Sequence, residues 1–535
     1  MKRSFNRRPP RSQPLLGLAT ILLLSTFSLT PSRADILDDL DSKINSWRLR
    51  EANTIFGKIP QSLAESPRVF FLHGKLLFYQ GNCSEALVEL RRAIEGARGE
   101  IEWKNLRNLA EQAQVVYQQL ALSTGKSGKF VYRYREGLDG ILTDYAETTL
   151  THQLAALEQD LGDIPQYPIQ VDFLPDAESL ARVSGLSVER IERTGTVGVT
   201  KYGRIMMISP RALATGYPWL DTLSHELTHL VITRLSEQNC PIWLHEGIAK
   251  LMEHKWRGHR LGSLTPEEAY LLDRAAREGR LIPLRRFHPS VAYLPNQEDA
   301  ALAYAQVLSF MLYLNTKLRP GWPKDLLQNL GKGLSVDKSL RTFSNYPLKR
   351  LYMWWRQTVS GRRQTPVPAV NMLKKRFKQG KTTGNEKLES LLDGDVEKHI
   401  RVGDLLRLRG HSRAAAIEYR QAESLNVSPS PEISDRLAGV LLELGDTKSA
   451  IPILKTITSL YPSHSTAFVQ LGEALAIENL TAEAISALEG ANAINPFHPK
   501  VHCLLGEQYA AAQNHQEALR EKERCRLLVS QVDNE

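Results

Sequence analysis

The chain has 535 residues and a formal net charge of +9, because 68 lysines and arginines outnumber 59 aspartates and glutamates. A chain of this length usually forms several domains, and we expect about three or four. Much of the excess positive charge lies near the amino terminus and in one short run at residues 374–381. No nucleic-acid-binding module is recognisable, so we expect no nucleic-acid partner.

Residues 1–34 have the pattern of a secretory signal peptide. A basic start precedes an apolar run from Leu15 to Leu29, and Ser32 and Ala34 supply the small residues of a cleavage site before Asp35. The run is shorter than the ~20 apolar residues of a membrane span. We therefore predict an exported protein, periplasmic or extracellular. The alternative is an uncleaved segment that anchors the protein to a membrane.

Residues 35–127 are predicted to form helical hairpins. Small and turn residues in this region repeat the spacing of four positions near the carboxyl terminus, which indicates at least one shared helix–turn–helix unit. The corresponding positions are Gly74, Gly81, Ala86 and Ala93 in the first set and Gly472, Asn479, Ala484 and Ala491 in the second.

Residues 128–362 are predicted to form an α+β domain. Tyr167–Phe173 alternates like a strand, Thr194–Val199 has the pattern of a Gly-rich turn and strand, and Gly203–Ser209 is a further predicted strand. Helices are expected to follow. An edge strand of this sheet could pair with an extended peptide.

The sequence His225-Glu226-Leu227-Thr228-His229 is an H-E-x-x-H motif. Apolar flanking residues predict an amphipathic helix, on which His225 and His229 share one face and can bind one Zn²⁺. Glu226 is rotated by about 100° from the first histidine and can reach water at the metal. Two satisfied polar histidines in an ordinary helix are the alternative.

A second helical motif follows, Trp243-Leu244-His245-Glu246-Gly247-Ile248-Ala249. Glu246 is the candidate third ligand, since a catalytic zinc has three protein ligands and one open position. The small residues Gly247 and Ala249 are expected to let this helix approach the first one closely.

Residues 363–394 are predicted to be a basic linker. The run from Lys374 to Lys381 lies in a stretch rich in Pro, Gly, Lys and Thr, with few apolar residues to bury. We expect a solvated segment that proteases cut first; contact with an acidic partner or a membrane surface is the alternative.

Residues 395–530 contain an internal repeat. Ala415, Ala450, Ala484 and Ala518 are separated by 35, 34 and 34 residues. This is the tetratricopeptide spacing, in which pairs of antiparallel helices stack into a solenoid. We expect a unit separable from the catalytic domain, with a concave surface for a protein partner.

Four cysteines are present, without zinc-finger spacing. Cys503 and Cys525 are nearly equidistant from the predicted turn at Asn514, so they either face each other across one hairpin as a disulfide or pack as small core residues.

The two motifs together resemble those of the gluzincin metallopeptidases, in particular the peptidase-MA-like proteins that carry tetratricopeptide repeats. The resemblance implies His225, His229 and Glu246 as zinc ligands and Glu226 as general base. It also implies an oxyanion-stabilising role for Tyr304, which opens a matching later helix; a plain core or surface tyrosine is the alternative.

The chain departs from that family in two places. His245 stands where relatives often have Asn, and we expect it to face solvent or substrate. The G-x-M-E-N segment that captures a free amino terminus in the related aminopeptidases is absent. The resemblance places that edge strand at Gly203–Ser209, which contains no Glu, and this favours an endopeptidase.

The sequence therefore predicts an α+β zincin-like catalytic domain flanked by all-α tetratricopeptide repeats. The expected function is zinc-dependent hydrolysis of a peptide or protein substrate. A protein-binding scaffold with an idle or structural zinc site is the main alternative, and an enzyme that processes cell-wall peptides is another.

Overall fold

The computed structural model describes residues 33–96, 100–162, 168–258, 260–361, 370, 372–378, 394–426 and 428–532. The predicted signal segment, apart from its last two positions, lies outside the described residues, as does most of the predicted linker. In the part of the chain that the structure describes, no helix is both long and apolar enough to cross a bilayer.

The first helices form one continuous core with the centre of the molecule. Gly74 shows why two of them pack as a hairpin, since a Cβ at this position would lie 2.8 Å from the Leu90 side chain. The apolar cluster that begins at Leu37 continues through the central helices. The helices are α1 (Arg33–Asn45), α2 (Leu49–Phe56), α3 (Gln61–Ala64), α4 (Pro67–Tyr79), α5 (Cys83–Gly96) and α6 (Ile101–Tyr117).

A five-stranded mixed sheet follows, in the order β1-β2-β3-β5-β4. The pairs β2–β3 and β3–β5 are parallel, whereas β1–β2 and β4–β5 are antiparallel. The sheet thus begins inside the region that was expected to be helical. The strands are β1 (Ala121–Thr124), β2 (Phe130–Tyr134), β3 (Ile169–Leu174), β4 (Gly198–Lys201) and β5 (Arg204–Ile208).

The prediction that Gly203–Ser209 forms the edge strand is wrong. β5 lies between β3 and β4, and all five of its residues are buried. A strand covered on both faces carries a continuous apolar run rather than an alternating one, and Ile205–Ile208 is such a run. The edge strand beside the predicted zinc helices is β4.

Ten helices complete the central region. α10, which carries the H-E-x-x-H motif, contacts β4, β5 and three other helices of this set, and it is buried on nearly every side rather than amphipathic. The helices are α7 (Ile141–Leu161), α8 (Ala177–Ser184), α9 (Val188–Thr194), α10 (Trp219–Ser236), α11 (Ile242–Met252), α12 (Pro266–Arg277), α13 (Gln297–Lys317), α14 (Trp322–Gly331), α15 (Val336–Ser344) and α16 (Leu348–Gly361).

The predicted C-terminal repeats are four helical hairpins. Gly472 shows the role of the small residues, since a Cβ there would lie 2.5 Å from the Leu488 side chain of the partner helix. The helices are α17 (Gly394–Leu408), α18 (Ser412–Leu425), α19 (Pro431–Glu443), α20 (Thr447–Leu460), α21 (Ser465–Ile477), α22 (Thr481–Asn492), α23 (Pro499–Ala511) and α24 (His515–Val532).

A disulfide joins Cys503 of α23 to Cys525 of α24. Of the two predicted alternatives, a disulfide or two small core residues, the structure contains the disulfide. Cys83 and Cys240 are free and buried.

The repeats pack directly against the central region. The backbone N–H groups of Tyr217 and Trp219 donate to the carbonyl oxygens of Ile494 and Ala493, at 3.0 and 3.2 Å. Gly216 has a φ of +74°, and a Cβ there would lie 2.3 Å from the Ile494 carbonyl oxygen. These close contacts argue against the expectation that the repeats behave as a separable unit.

Residues 372–378, hereafter the strap, also pack on the central region. Arg376 accepts a hydrogen bond from the Ala214 N–H, and the Lys378 N–H donates to Ala212, both at 2.9 Å. Phe377 forms an isolated antiparallel bridge with Leu213. The expectation of a solvated linker is therefore wrong for this segment, because backbone hydrogen bonds, which composition does not reveal, hold it in place.

Arg524 of α24 is the residue on which the interface between the last repeat and α7 depends. Its guanidinium lies 2.6 Å from the buried Glu521 carboxylate, 3.3 Å from that of Asp144, and 4.1 Å from the centre of the Tyr145 ring. We predict that Arg524→Met lowers the free energy of unfolding by about 2 kcal/mol, since it removes a charge-assisted hydrogen bond to the buried Glu521 and leaves that carboxylate with only His502 and Tyr145 as side-chain partners within the described residues. Chemical denaturation of the oxidised protein measures this.

The control is Arg520→Met on the same helix, where Arg520 is 43 % exposed and pairs with the exposed Glu517. An exposed pair contributes about 0–1 kcal/mol, so this variant should unfold close to the wild type. Equal losses from the two substitutions would contradict the interface role.

Candidate metal centre

The histidines of the H-E-x-x-H motif lie side by side in the protein interior. His225 and His229 are one turn apart on α10, with ring centroids 4.6 Å apart, and they are 7 % and 8 % exposed. Beside them, the Thr228 hydroxyl donates to the Ser224 carbonyl and accepts from the Gln153 amide. The motif therefore lies on a helix that is packed on nearly every side.

The second helix brings Glu246 to the same point. α11 packs against both α10 and α13. Gly247 was expected to let α11 approach α10, but it faces α13 instead, since a Cβ there would lie 2.9 Å from Met311 of α13. The prediction of a close helix–helix contact at Gly247 is therefore right, but its partner helix is α13.

The three predicted ligands converge. The Glu246 Oε2 atom lies 3.3 Å from the His225 Nε2 atom and 3.4 Å from the His229 Nε2 atom. Ligand atoms about 2.0–2.1 Å from a tetrahedral zinc ion are themselves about 3.3 Å apart. The spacing of these donor atoms therefore fits a zinc ion.

The electrostatics of the cluster favour a positive charge at this point. Burial alone would lower the pKa of His225, but Glu246 and Glu253 raise it to about 9. Burial alone would raise the pKa of Glu246, yet His229 and His225 hold it well below its usual range. Carboxylates that stabilise positive charge on a buried imidazole would equally stabilise a divalent cation bound to that imidazole.

Glu226 lies beside the ligand set but is held differently. The Thr200 hydroxyl of β4 donates to the Glu226 Oε2 atom at 2.7 Å. A Cβ at Gly198, on the same strand, would lie 2.8 Å from the Glu226 Oε1 atom. Although donor atoms of His225, Glu226 and His229 lie within 4.8 Å of one another, this carboxylate is turned toward the edge strand. Glu246 is thus the better placed third ligand.

Each histidine also has a partner on its Nδ1 side. The Glu253 Oε2 atom lies 3.5 Å from the His225 Nδ1 atom, and the Lys250 ammonium lies 2.6 Å from the other oxygen of Glu253. Burial would raise the pKa of Glu253, but Lys250 and His225 lower it to about 2. A carboxylate behind a metal-binding histidine orients the ring and increases its basicity.

On the other side, the Nδ1 atoms of His229 and His245 are 2.6 Å apart, and the His245 Nε2 atom lies 3.2 Å from the Thr233 hydroxyl. If His229 binds a metal through Nε2, its Nδ1–H donates to His245, whose Nε2–H then donates to Thr233. His245 was expected to face solvent or substrate, and instead it supports His229. Burial and His229 hold the pKa of His245 well below its usual value.

Sequence analysis missed Thr200, Lys250 and Glu253. Glu253 comes seven residues after Glu246, so the two lie on the same face when the helical path continues, and this signal was available. Thr200 carried none, because only the tertiary fold brings β4 to Glu226.

Tyr304 lies on α13 at the same site. Its ring centroid is 6.0 Å from that of His225. Burial raises the pKa of Tyr304 well above its usual value, and the Glu246 and Glu226 carboxylates add to this effect. The phenol therefore stays protonated and can donate a hydrogen bond.

The centre opens into a cavity of about 690 Å³ that three parts of the chain enclose. The central region contributes His225, Glu226 and Tyr304. The strap contributes Met372, Leu373 and Lys375, and the repeats contribute Pro462, Ser463, Phe468, Gly490, Ala493 and Ile494.

Comparisons with known proteins bear on this region. Residues 149–361 match the family model described as the Peptidase MA superfamily. Every residue of the candidate centre lies within that match. No curated protein matches the chain.

Three solved structures with a partial likeness to this chain include two that are described as TPR proteins. MamA is 18 % identical, with a TM-score of 0.25 over 26 % of this chain and 82 % of that chain. YrrB, a TPR protein with an unusual peptide-binding site, is 21 % identical, with a TM-score of 0.23 over 26 % of this chain and 74 % of that chain. A thermophilic TPR protein of Thermus thermophilus is 24 % identical, with a TM-score of 0.23 over 25 % of this chain and 74 % of that chain.

We predict that the purified protein binds one zinc ion per chain and that His225→Ala, His229→Ala and Glu246→Ala each lose most of it, because each removes one of three donor atoms. Elemental analysis after dialysis measures the metal content. Glu226→Gln should retain it.

His254→Ala is the matched control, since His254 lines the same cavity but lies outside the converging set. It should bind zinc like the wild type. Retention of zinc by Glu246→Ala together with its loss in Glu226→Gln would assign the third ligand to Glu226 instead.

Proposed function

We propose that this protein is a zinc-dependent metallopeptidase of the gluzincin type. The observation that carries the proposal is the convergence of His225, His229 and Glu246 at zinc-binding distances, with the Glu226 carboxylate next to them. The match of residues 149–361 to the Peptidase MA superfamily supports it.

A zinc ion at this centre would supply Lewis acidity, which acidifies water and polarises a carbonyl. Glu226 accepts the proton of the attacking water on its carboxylate and passes it to the nitrogen of the leaving amine. The Thr200 hydroxyl, 2.7 Å from the Glu226 Oε2 atom, holds the carboxylate in position for both transfers.

The substrate is an extended peptide. Within the described residues, β4 is an edge strand that pairs with β5 alone, and its Gly198 and Thr200 both contact Glu226. An extended chain that adds to the free edge of β4 through backbone hydrogen bonds would lie beside the base. Tyr304 donates a hydrogen bond to the oxyanion that develops on the scissile carbonyl.

The proposed cleavage is internal to the peptide. β4 consists of Gly198, Val199, Thr200 and Lys201 and offers no carboxylate to a free amino terminus. The edge strand β4 therefore lacks a glutamate, as Gly203–Ser209 does. A protein or peptide partner would reach the site past the repeats, which form part of its wall.

We further propose that the protein is exported. The support is the signal-like pattern of residues 1–34 together with the disulfide between Cys503 and Cys525, since disulfides persist in oxidising compartments. Amino-terminal sequencing of the native protein should find a start near Asp35, and an intact Met1 on a cytosolic protein would contradict export.

We predict that Glu226→Gln keeps the bound zinc and lowers peptide hydrolysis by about 10²–10⁴-fold, because Gln is nearly isosteric but cannot accept the proton. Turnover of a fluorogenic peptide library by the zinc-loaded protein measures this. A chelator should abolish wild-type hydrolysis, and added Zn²⁺ should restore it.

Tyr304→Phe extends the same experiment, because it removes only the hydroxyl. It should lower kcat by about 10²-fold with little change in KM. Substantial hydrolysis by Glu226→Gln would rule out the base. Peptide binding without any hydrolysis by the zinc-loaded wild type would favour the scaffold alternative.

A further inference from the structure

Lys375 differs from the other cations of the strap in where its side chain lies. Lys374, Arg376 and Lys378 are exposed, whereas Lys375 is turned inward and lines the cavity of the candidate centre. This alternation is that of an extended segment lying on a surface.

The inward position of Lys375 is imposed by the backbone on either side of it. The Lys375 N–H donates to the Gln297 side-chain oxygen at 2.8 Å, and the Gln297 amide donates to the Lys375 carbonyl at 3.0 Å. Two residues earlier, the Leu373 N–H donates to Glu267 at 3.0 Å. These backbone hydrogen bonds fix the register of the strap on both sides of Lys375.

The ammonium group of Lys375 has a neutral partner only. It donates to the Gly195 carbonyl oxygen at 3.1 Å, and within the described ranges no carboxylate forms an ion pair with it. Burial, with Lys250 nearby, lowers the pKa of Lys375 to about 8, so the group is still mostly charged at neutral pH. A partly buried cation without a counter-ion is stabilised when a ligand supplies the anion.

The carboxylates that line the cavity bind groups other than Lys375. Lys250 lies 2.6 Å from Glu253 and 3.5 Å from Glu268. Asp221 accepts from Trp256 and Arg257, both at 3.0 Å. Glu226 is held by Thr200 and Glu267 by the strap backbone. Among the residues that the structure describes, the cavity therefore contains one partly buried cation, Lys375, with which none of its acidic residues forms an ion pair. That cation is left to bind an incoming anionic group.

We propose that Lys375 is a specificity-determining residue that binds a carboxylate of the peptide substrate. This proposal rests on the proposed function only because both place the peptide substrate in the cavity. Gly195 precedes the first residue of β4 by three positions, a span of about 10 Å in extended chain. The carboxylate therefore belongs to a residue within about three positions of the scissile bond. An acidic side chain and a free terminal carboxylate share this chemistry.

Equilibrium binding to the zinc-loaded Glu226→Gln protein tests the proposal without requiring turnover. The probes are fluorescein-labelled decapeptides that carry one Glu or one Gln at each position in turn, each made with a free and with an amidated carboxyl terminus. We expect at least one Glu peptide, or the free-acid form, to bind about tenfold to a hundredfold more tightly than its neutral counterpart, as for a charge-assisted hydrogen bond.

Adding Lys375→Met should remove that preference and leave the affinity for neutral peptides within about threefold, since a charge-assisted contact acts only on the charged ligand. Lys375→Arg should retain it, and Lys378→Met is the matched control on the exposed face of the strap. If Lys375 had a purely structural role, Lys375→Met would weaken the binding of acidic and neutral peptides alike.

Three results would overturn the proposal: equal binding of acidic and neutral peptides, a preference that survives Lys375→Met, and no binding of any acidic peptide. The outcome is separable from that of the proposed function. Hydrolysis without an acidic preference would refute the role of Lys375 alone. Lys375-dependent binding without hydrolysis by the wild type would refute the peptidase alone.

Discussion

Two imidazoles and one carboxylate have to meet at a single point in the protein interior, and much of the surrounding structure serves that requirement. The H-E-x-x-H helix is buried on nearly every side, so its side chains have no freedom to turn toward solvent. The second helix is held at the required distance because Gly247 lets Met311 approach. Glu253 and His245 then support the two histidines from behind. Placing ligands on packed helices with an outer layer of partners keeps the donor atoms within the narrow distances that a zinc ion demands.

The repeats and the strap are part of the site and not appendages to it. The turn that precedes α10 forms backbone hydrogen bonds with Ala493 and Ile494, and these same residues line the cavity. The last hairpin, closed by its disulfide, contacts α7 through Glu521 and Arg524. A change in the stacking of the repeats would therefore alter the cavity wall directly.

The sequence was most informative where function depends on local spacing. The common face of His225 and His229 follows from helical periodicity, whereas Glu246 was identified from the second motif. The hairpin register follows from recurring small residues such as Gly472. It failed where long-range packing decides the outcome. The edge strand was misplaced because a five-residue apolar run does not show which neighbours it has. The strap was taken as solvated because its backbone, not its side chains, makes most of the contacts that hold it. Thr200 reaches Glu226 only through the fold, and no local pattern marks it.

Anomalous diffraction at the zinc absorption edge from crystals of the metal-loaded protein tests the central claim most directly. The account predicts a single strong peak about 2.0–2.2 Å from the Nε2 atoms of His225 and His229 and from a carboxylate oxygen of Glu246. Glu226 should lie outside bonding distance, with its carboxylate still beside Thr200. A peak coordinated by Glu226 in place of Glu246, or the absence of any peak between the two histidines, would contradict it.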